Sequence, residues 1–557
     1  MTQDAQQQAP QQEVDVVVVG AGFAGLHALH ELRGRGLSVR VLEAGHGVGG
    51  TWYWNRYPGA RCDVESTDYQ FSFSEDLVRE WRWSERYPRQ EELLRYLDHV
   101  ADRFDLRRDI SLGRRVVSAV LEEEDVTWTV ATEQGERWRA RWLIMATGCL
   151  SVPRLPLVPG LEDFRGDWYH TASWPADGVD FTGERVAVVG TGSSGIQSIP
   201  LIAEQAAGLL VLQRTANYSV PAFNHELGEE ELERLQQDFA ARREFTRSSA
   251  LGLAAPADPR SALAVSEEER RTQYETRWRM GGLPMIGAFA DLMVDRAANE
   301  TAAAFFHDKI RAKVDDPETA EKLLPRGYPW GAKRVCVDSG YYETFNRSDV
   351  TLIDLNEQPL RGITPRGVLV GETEHEVDAI VFATGFDAMT GALMAIDIRG
   401  RDGRSLRQAW SAGPKTYLGL AVAGFPGLFT VTGPGSPSVL SNMVVSIEQH
   451  VEWIADAISW SRERGTEVFE ATQEAQEAWV EHVNAVADST LFTEANSWYL
   501  GANVPGKPRV FMPYAGGVGA YRQKCDEVAA AGYEGFRAVP APGAERRRAD
   551  RSAPVVA

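Results

Sequence analysis

The chain is 557 residues long, 43% hydrophobic and 25% charged, with a formal net charge of −21. Its length argues for two or three domains, and the acid excess excludes a nucleic-acid partner, which needs a concentrated basic surface. The four cysteines (Cys62, Cys149, Cys336, Cys525) are spaced too widely for a CxxC pair or a metal-ligand set, and no apolar run is long enough to span a membrane, so the expectation is a reduced, cytoplasmic, metal-free protein.

Residues 1–13 are polar and glutamine-rich, lack the apolar core of a signal peptide, and read as a flexible tail. VDVVVVG is a continuous branched run ended by glycine, which predicts a buried strand of a parallel sheet. In GAGFAGLHALHELRGRG, Leu26, Leu29 and Leu32 recur at helical spacing and Gly34 and Gly36 end the helix; LSVRVLE is the next strand. Gly20, Gly22 and Gly25, with Ala24 among them, therefore form GxGxxG between a strand and a helix. That pattern permits a tight turn, close approach of a pyrophosphate and close helix–strand packing. Glu43 ends the second strand, where a carboxylate accepts from both ribose hydroxyls and repels a 2′-phosphate, so this half prefers FAD or NAD.

RVAVVGTGSSGIQSIPLIAEQAAGLLVLQR repeats the logic, with Thr191, Gly192, Ser193, Ser194, Gly195, Ile196 and Gln197 at the phosphate turn. Pro200 is expected in an early turn or at a kink. The second strand here ends in Arg214 and Thr215 with no acid, which suits the 2′-phosphate of NADP(H); Arg214 alone could equally be a surface charge. LIMATG and AIVFATG read as buried strands running into tight turns, residues 225–330 and 446–485 as helical, and 541–557 as a flexible tail. The fold class is thus α/β, with two Rossmann-like dinucleotide-binding domains: 14–150 with 386–540 for FAD, and 151–224 with 331–385 for NADP, the latter carrying a helical insertion at 225–330. Two sites of opposite preference imply electron flow from NADPH to FAD. With no close cysteine pair and no iron–sulfur or haem ligand pattern, oxygen is the expected acceptor.

Phe164, Gly166, His170, Trp174 and Pro175 match FxGxxxHxxxW[PD], and GGTWYWNRYPGARCD (residues 49–63) matches [AG]GxWxxxx[FY]P[GM]xxxD. Both are fingerprints of Baeyer–Villiger monooxygenases, which the sequence resembles from about residue 14 to 538. The likeness includes QRTANYSVP, GAKRV, DSGYYETFNR, GFPGLFTVTGPGSPSVLSNM and NSWYLGANVPGKPR, and GPGSPSVLSNM is most similar to the phenylacetone and steroid monooxygenase branch.

The resemblance implies that NADPH reduces FAD, that a flavin peroxide attacks a ketone, and that an ester or lactone results. It also implies that Arg334 is the active-site cation and Asp63 its carboxylate partner, and that Lys333, with Arg214 and Thr215, holds the 2′-phosphate. Trp498 is implied to close over the nicotinamide, and Thr51, Trp52, Trp54, Tyr69, Val116 and Met443 to touch FAD, with Tyr53, Arg61 and Cys62 in the same cofactor-binding stretch. His170 is implied to be the polar contact of a linker that follows nicotinamide position. On the residues alone, Arg334 and Asp63 could be a structural salt bridge, His170 a packed linker histidine and Trp498 core. Two other activities stay open: nitrogen or sulfur oxygenation, whose enzymes lack the tryptophan seen here at Trp174, and an uncoupled flavin NADPH oxidase or redox protein. A monomer acting on a small-molecule ketone is expected.

Overall fold

The structure is a computed structural model and describes residues 11–540. The N-terminal segment supplies six strands: β1 (Gln12–Val19), β2 (Val39–Leu42), β3 (Ile110–Ser111), β4 (Val116–Glu122), β5 (Thr127–Thr132) and β6 (Arg137–Met145). β1 pairs in parallel with β2 on one side and β6 on the other, with helix α1 (Phe23–Gly34) crossing between β1 and β2. The valine run is continuous because both faces of the sheet are covered: Val16 and Val18 enter one core, Val17 and Val19 another.

The second sheet repeats this plan. β7 (Asp167–His170), β8 (Arg185–Val189) and β9 (Gly208–Gln213) come first, with helix α2 (Ser193–Gln205) between β8 and β9. β10 (Ser219–Pro221) and β11 (Cys336–Asp338) then pair with each other. β12 (Val350–Asp354) and β16 (Ala379–Phe382) complete the sheet order β12-β9-β8-β16-β7, after a small meander of β13 (Leu360–Thr364), β14 (Gly367–Val370) and β15 (Thr373–Glu376). Val186 and Val188 again face one core, Ala187 and Val189 another.

The chain then returns to the first sheet. β17 (Asp397–Arg399) pairs with β4, and β18 (Leu428–Thr430) with the second half of β6. β19 (Thr466–Ala471) and β20 (Phe536–Pro540) form a separate antiparallel pair.

Residues 229–323 are helical, including Glu229–Gln237, Phe239–Ser248, Glu267–Met280, Arg296–Lys313 and Pro317–Leu323. Although they are inserted between β10 and β11, their aromatic side chains Tyr274, Trp278, Phe305 and Phe306 belong to the core that packs on the first sheet. Arg242 pairs with Asp68 at 2.9 Å, which adds a polar tie to the same body.

Four expectations are corrected. The tail expected at 1–13 is cut short: Gln12 and Glu13 already pair with Trp138 and Arg139 in β1, while 1–10 and the expected tail at 541–557 lie outside the described residues. The stretch 446–485 is not all helix. Helix Met443–Glu463 ends at Gly465 (φ +60°), and β19 separates it from helix Gln473–Asp488, because β19 finds its partner β20 some seventy residues later. Pro200 sits in the middle of α2 rather than in an early turn, so the Ile196 carbonyl lacks its usual i+4 donor. The linker fingerprint is partly strand: Asp167–His170 is β7, the sheet edge, pairing with Ala379–Phe382.

Candidate active site

The two glycine loops have matching geometry. Gly20 (φ +105°) and Gly190 (φ +109°) occupy a backbone region that L side chains rarely enter, and each abuts the turn after a neighbouring strand, at the carbonyls of Ala146 and Ala383. A β-carbon on Gly25 would lie 1.8 Å from the Gly20 carbonyl oxygen, and one on Gly195 would lie 2.2 Å from that of Gly190. The third glycine of each motif is therefore a packing requirement. Helices α1 and α2 begin at Gly22 and Gly192, with no side-chain cap and no acid in the first turn. Helices Ser266–Met280 and Asp295–Lys313, in contrast, are capped by a serine and an aspartate. Free N–H groups at an uncapped, acid-free helix start fit a diphosphate. In α2 those starting residues are Ser193, Ser194 and Ile196, flanked by Thr191, whose hydroxyl donates to the Thr215 carbonyl at 3.1 Å.

Beyond β2, Glu43 is buried, and each of its oxygens accepts one backbone N–H at 2.7 Å, from Ala21 and from Gly45. Both oxygens keep a lone pair for ribose hydroxyls. Tyr53 packs its ring against Gly45 and Gly47 in the same loop, where any β-carbon would approach within 2.9 Å. Trp52 and Tyr69 meet edge to face at 5.9 Å, and Ala24 lies buried beneath them in the α1 core. Thr51 and Trp54 lie on the same short helix; Trp54 is exposed. Val116 does not join this wall by its side chain, which is buried in the core on the other face of the sheet.

At the second site, β9 ends in exposed Arg214. Lys333 is half-buried with its ammonium 4.5 Å from the Tyr328 ring centre. Burial, then the Arg214 charge, lowers the Lys333 pKa to about 8. Arg154 feels burial and the same Arg214 charge, and its pKa is lowered too. Arg214 thus acts on both Lys333 and Arg154, and Asp387 offsets part of the effect on Arg154; cations that lower one another's pKa suit an anionic ligand. Sequence reasoning missed Arg154, because it lies in SVPRLPLVPG, a stretch without motif or periodicity.

Asp63, from the stretch after the short helix Thr51–Trp54, pairs with Arg334, just ahead of β11. Arg334 Nε and Nη2 donate to the two Asp63 oxygens at 2.8 Å each, and Nη1 donates to the Val439 carbonyl at 2.7 Å. Burial disfavours the Arg334 charge, but Asp63 outweighs it and the pKa is raised above its ordinary value. A guanidinium has five N–H donors, and Asp63 and Val439 take three of them, which leaves two on the side where Tyr499 stands as a further hydrogen-bond partner. Tyr499, also missed in the sequence, stands in the field of Arg334, with burial pushing its pKa up to about 12. Its neighbour Trp498 is half-buried at 4.4 Å from it, and both belong to an apolar cluster with Leu440, Met443 and Phe492.

Cys62 and Cys336 flank the pair in sequence. Burial raises both thiol pKa values, that of Cys336 to about 12, and all four cysteines are free and buried, so thiol chemistry is suppressed. Among the described residues no cluster suits a metal ion.

The first-domain loop 57–61 docks on α2. Tyr57 donates to Gln197 at 2.8 Å, and Gln197 donates to the Arg61 carbonyl at 3.1 Å. Arg61 itself is ion-paired with Glu85. From the fingerprint, His170 is 2% exposed: its Nδ1 accepts from the Ala172 N–H at 3.1 Å, which leaves Nε2–H facing the Arg154 carbonyl at 3.3 Å. Burial lowers its pKa, so the ring is neutral near pH 7. Trp174 is buried in the second-sheet core, Pro175 is exposed beside it, and a β-carbon on Gly166 would clash with the Asp378 carbonyl and the Phe164 ring.

Comparison with known proteins fits this arrangement. A family model described as pyridine nucleotide-disulphide oxidoreductase matches residues 17–239. The chain is 44% identical over 527 residues to an acetone monooxygenase (methyl acetate-forming) of Gordonia sp. (strain TY-5), covering 94% of this chain and 98% of that one. It is 43% identical over 526 residues to the phenazine N-monooxygenase PhzNO1 of Lysobacter antibioticus, covering 94% and 96%. A solved structure of oxidized steroid monooxygenase bound to NADP superposes with TM-score 0.92 at 55% identity, over 95% of this chain and all of that one. Converting acetone to methyl acetate inserts one oxygen beside a carbonyl, and on end-to-end similarity of this strength the chain belongs to the Baeyer–Villiger monooxygenases.

Proposed function

We propose that this chain uses NADPH and oxygen to convert a ketone into an ester or lactone, with Arg334, held by Asp63, as the catalytic cation. The observation that carries this reading is a half-buried, permanently charged guanidinium, held in one plane by Asp63 and Val439, that keeps N–H donors beyond the three those partners take. FAD, bound along Gly20–Gly25 and Glu43, supplies the redox and oxygen-activating chemistry. Arg334 cannot move a proton, because it stays charged. Its role is to hold fixed N–H donors where negative charge gathers on the reacting oxygens. Asp63 fixes its orientation through two parallel hydrogen bonds. The apolar wall of Leu440, Met443, Phe492 and Trp498 excludes water from that charge. The bound molecule is taken to be NADPH rather than NADH because Arg214, Lys333 and Arg154 gather where the 2′-phosphate would lie. A location in the cytoplasm and a monomeric state are part of the same proposal.

The test is product analysis by mass spectrometry with a panel of cyclic, aryl and steroid ketones, NADPH and air. Ester or lactone with one oxygen added supports the reading; oxidation of NADPH to give only hydrogen peroxide with every ketone rejects it. A second reading, nitrogen oxygenation, is favoured by the 43% identity to the phenazine N-monooxygenase. A phenazine in the same panel separates the two by which substrate gains oxygen.

Two results are expected. Glu43→Gln keeps the shape of the ribose acceptor but removes its charge. Flavin retention on ultrafiltration should weaken by about fivefold to thirtyfold, since charge-assisted hydrogen bonds exceed neutral ones by roughly 1–2 kcal/mol. Parental retention would remove Glu43 from the ribose site. The second concerns pH. The Lys333 pKa is lowered to about 8, so in the free protein its ammonium is present below that pH and lost above it. kcat/KM for NADPH should therefore fall as pH rises through about 8 while that for NADH stays flat. Parallel profiles for the two nucleotides would show that Lys333 does not read the phosphate.

A further inference from the structure

Two chain segments cross between the sheets: one leaves β6 for β7, the other leaves β16 for β17. They run antiparallel against each other. Arg154 N–H donates to the Gly385 carbonyl, Asp387 N–H to Val152, and Met389 N–H to Cys149, at 2.7–2.9 Å. Met389 adopts φ +66°, an uncommon conformation for a residue with a branched-off side chain, in the middle of the return crossing. Any rotation of one sheet body against the other must pass through this pair of crossings.

A third segment grips the return crossing. Lys507 Nζ donates to the Asp387 carboxylate at 2.5 Å and to the Ala388 carbonyl at 2.7 Å, with the lysine side chain only 11% exposed. Asn503 Nδ2 donates to the Phe386 carbonyl at 2.7 Å. The Lys507 stem runs beneath Gly501 (φ +70°), where a β-carbon would meet it at 3.1 Å. Gly501 directly follows Trp498–Leu500, the short turn that carries Trp498 and places Tyr499 beside Arg334. A buried lysine bound by one carboxylate and one carbonyl, on a loop otherwise rich in glycine and proline, is an anchor with a definite partner.

We infer that Lys507 is a positioning residue for oxygenation: through Asp387 and Ala388 it ties the loop bearing Trp498 and Tyr499 to the crossing between the two dinucleotide-binding sheets, so that the loop closes over Arg334 only when that crossing holds the present arrangement. The inference rests on the assignment of Arg334 to the reacting centre. Arg214 and Lys333 lie just after β9 and ahead of β11, outside the tether, so the limiting rate of flavin reduction at saturating NADPH does not depend on it, although Arg154 sits on the tethered crossing. Oxygen insertion does depend on the tether, because it needs the dry cavity that the loop closes.

Lys507→Met keeps the stem and removes the ammonium. Flavin reduction at saturating NADPH, followed anaerobically by stopped flow, is expected to stay within about twofold of the parent. Ester formed per NADPH oxidised should fall by about threefold or more, with hydrogen peroxide making up the difference, because losing a charge-assisted hydrogen bond shifts the closed population by roughly tenfold. Chymotrypsin should cut at Trp498 and Tyr499 faster in the variant, and Lys507→Arg should restore both coupling and resistance. Asp387→Asn should reproduce the loss, and the double variant should be no worse than either single one; it also carries the test if Lys507→Met fails to fold. Parental coupling with parental chymotrypsin resistance overturns the tether, and so does a reduction rate that falls in step with ester yield. Arg334→Ala measured alongside separates the two ideas: ester formation in that variant rejects the assignment of Arg334, whereas the tether is judged by Lys507→Met and Asp387→Asn.

Discussion

Arg334→Ala should abolish ester formation while leaving NADPH able to reduce the flavin. Reduction needs the nicotinamide against the flavin, and the residues proposed to hold the 2′-phosphate, Lys333 and Arg214, remain. Oxygen insertion needs the N–H donors of Arg334 beyond those that Asp63 and Val439 take, and these disappear together. Losing one preorganised oxyanion donor typically costs about 2.7–4 kcal/mol, so product should fall below roughly a hundredth of the parental rate, and loss of the full charge pushes it lower still. The reduced variant should release hydrogen peroxide in place of ester. The substitution also leaves the half-buried Asp63 without its cation, so Arg334→Lys is the control for folding. It keeps a charge but cannot span both Asp63 oxygens and the Val439 carbonyl in one plane, and its ester rate should lie between parent and alanine. Stopped-flow absorbance, first without oxygen and then on mixing with it, reads the two half-reactions separately. Ester at the parental rate from Arg334→Ala would remove this residue from the mechanism.

The parts of the site legible in the sequence were those whose function constrains the backbone. Gly25 and Gly195 must lack a side chain because a carbonyl lies about where the β-carbon would stand, and such a constraint leaves the same spacing in both halves. Runs buried on both faces, such as Val16–Val19, are equally legible, since two cores enforce a continuous apolar string. Arg334 and Asp63 are 271 residues apart, and no local pattern joins them; only the likeness to a family did so before their 2.8 Å hydrogen bonds could be seen. Arg154 had no such signal, and Tyr499 and Lys507 lay within a stretch of family likeness that assigned them no role, because loop backbones tolerate many side chains. β19 escaped for a related reason. Its partner β20 lies near the end of the chain, and a short strand flanked by two long helices carries little periodicity of its own. The helical segment at 225–330 was visible as helix, but its packing onto the first sheet is a tertiary choice made by Tyr274, Trp278 and Phe306, which helical spacing alone does not reveal.

The double substitution Arg214→Ala with Lys333→Ala should nearly erase the preference for NADPH over NADH. Arg214 is exposed at the end of β9, and Lys333 lies half-buried with a pKa lowered to about 8 by burial and by Arg214. A cation held below its ordinary pKa by a neighbouring cation is relieved when a dianion arrives, so the phosphate gains from both charges and also restores the lysine proton. Each charge-assisted contact contributes roughly 1.5–3 kcal/mol, which puts the combined rise in KM for NADPH at about a hundredfold or more. NADH carries no 2′-phosphate and should be used at nearly the parental rate. The two single variants should not add up to the double, because removing Arg214 raises the Lys333 pKa and strengthens the lysine that remains. That non-additivity can be read in the pH profile: in Arg214→Ala the fall in kcat/KM for NADPH should move to higher pH, and in Lys333→Ala it should vanish. Residual discrimination of about tenfold in the double variant would assign the remainder to Arg154, which feels the same Arg214 charge from the first crossing between the sheets. Equal losses with NADH and NADPH would instead mean that these cations support the fold and do not read the phosphate.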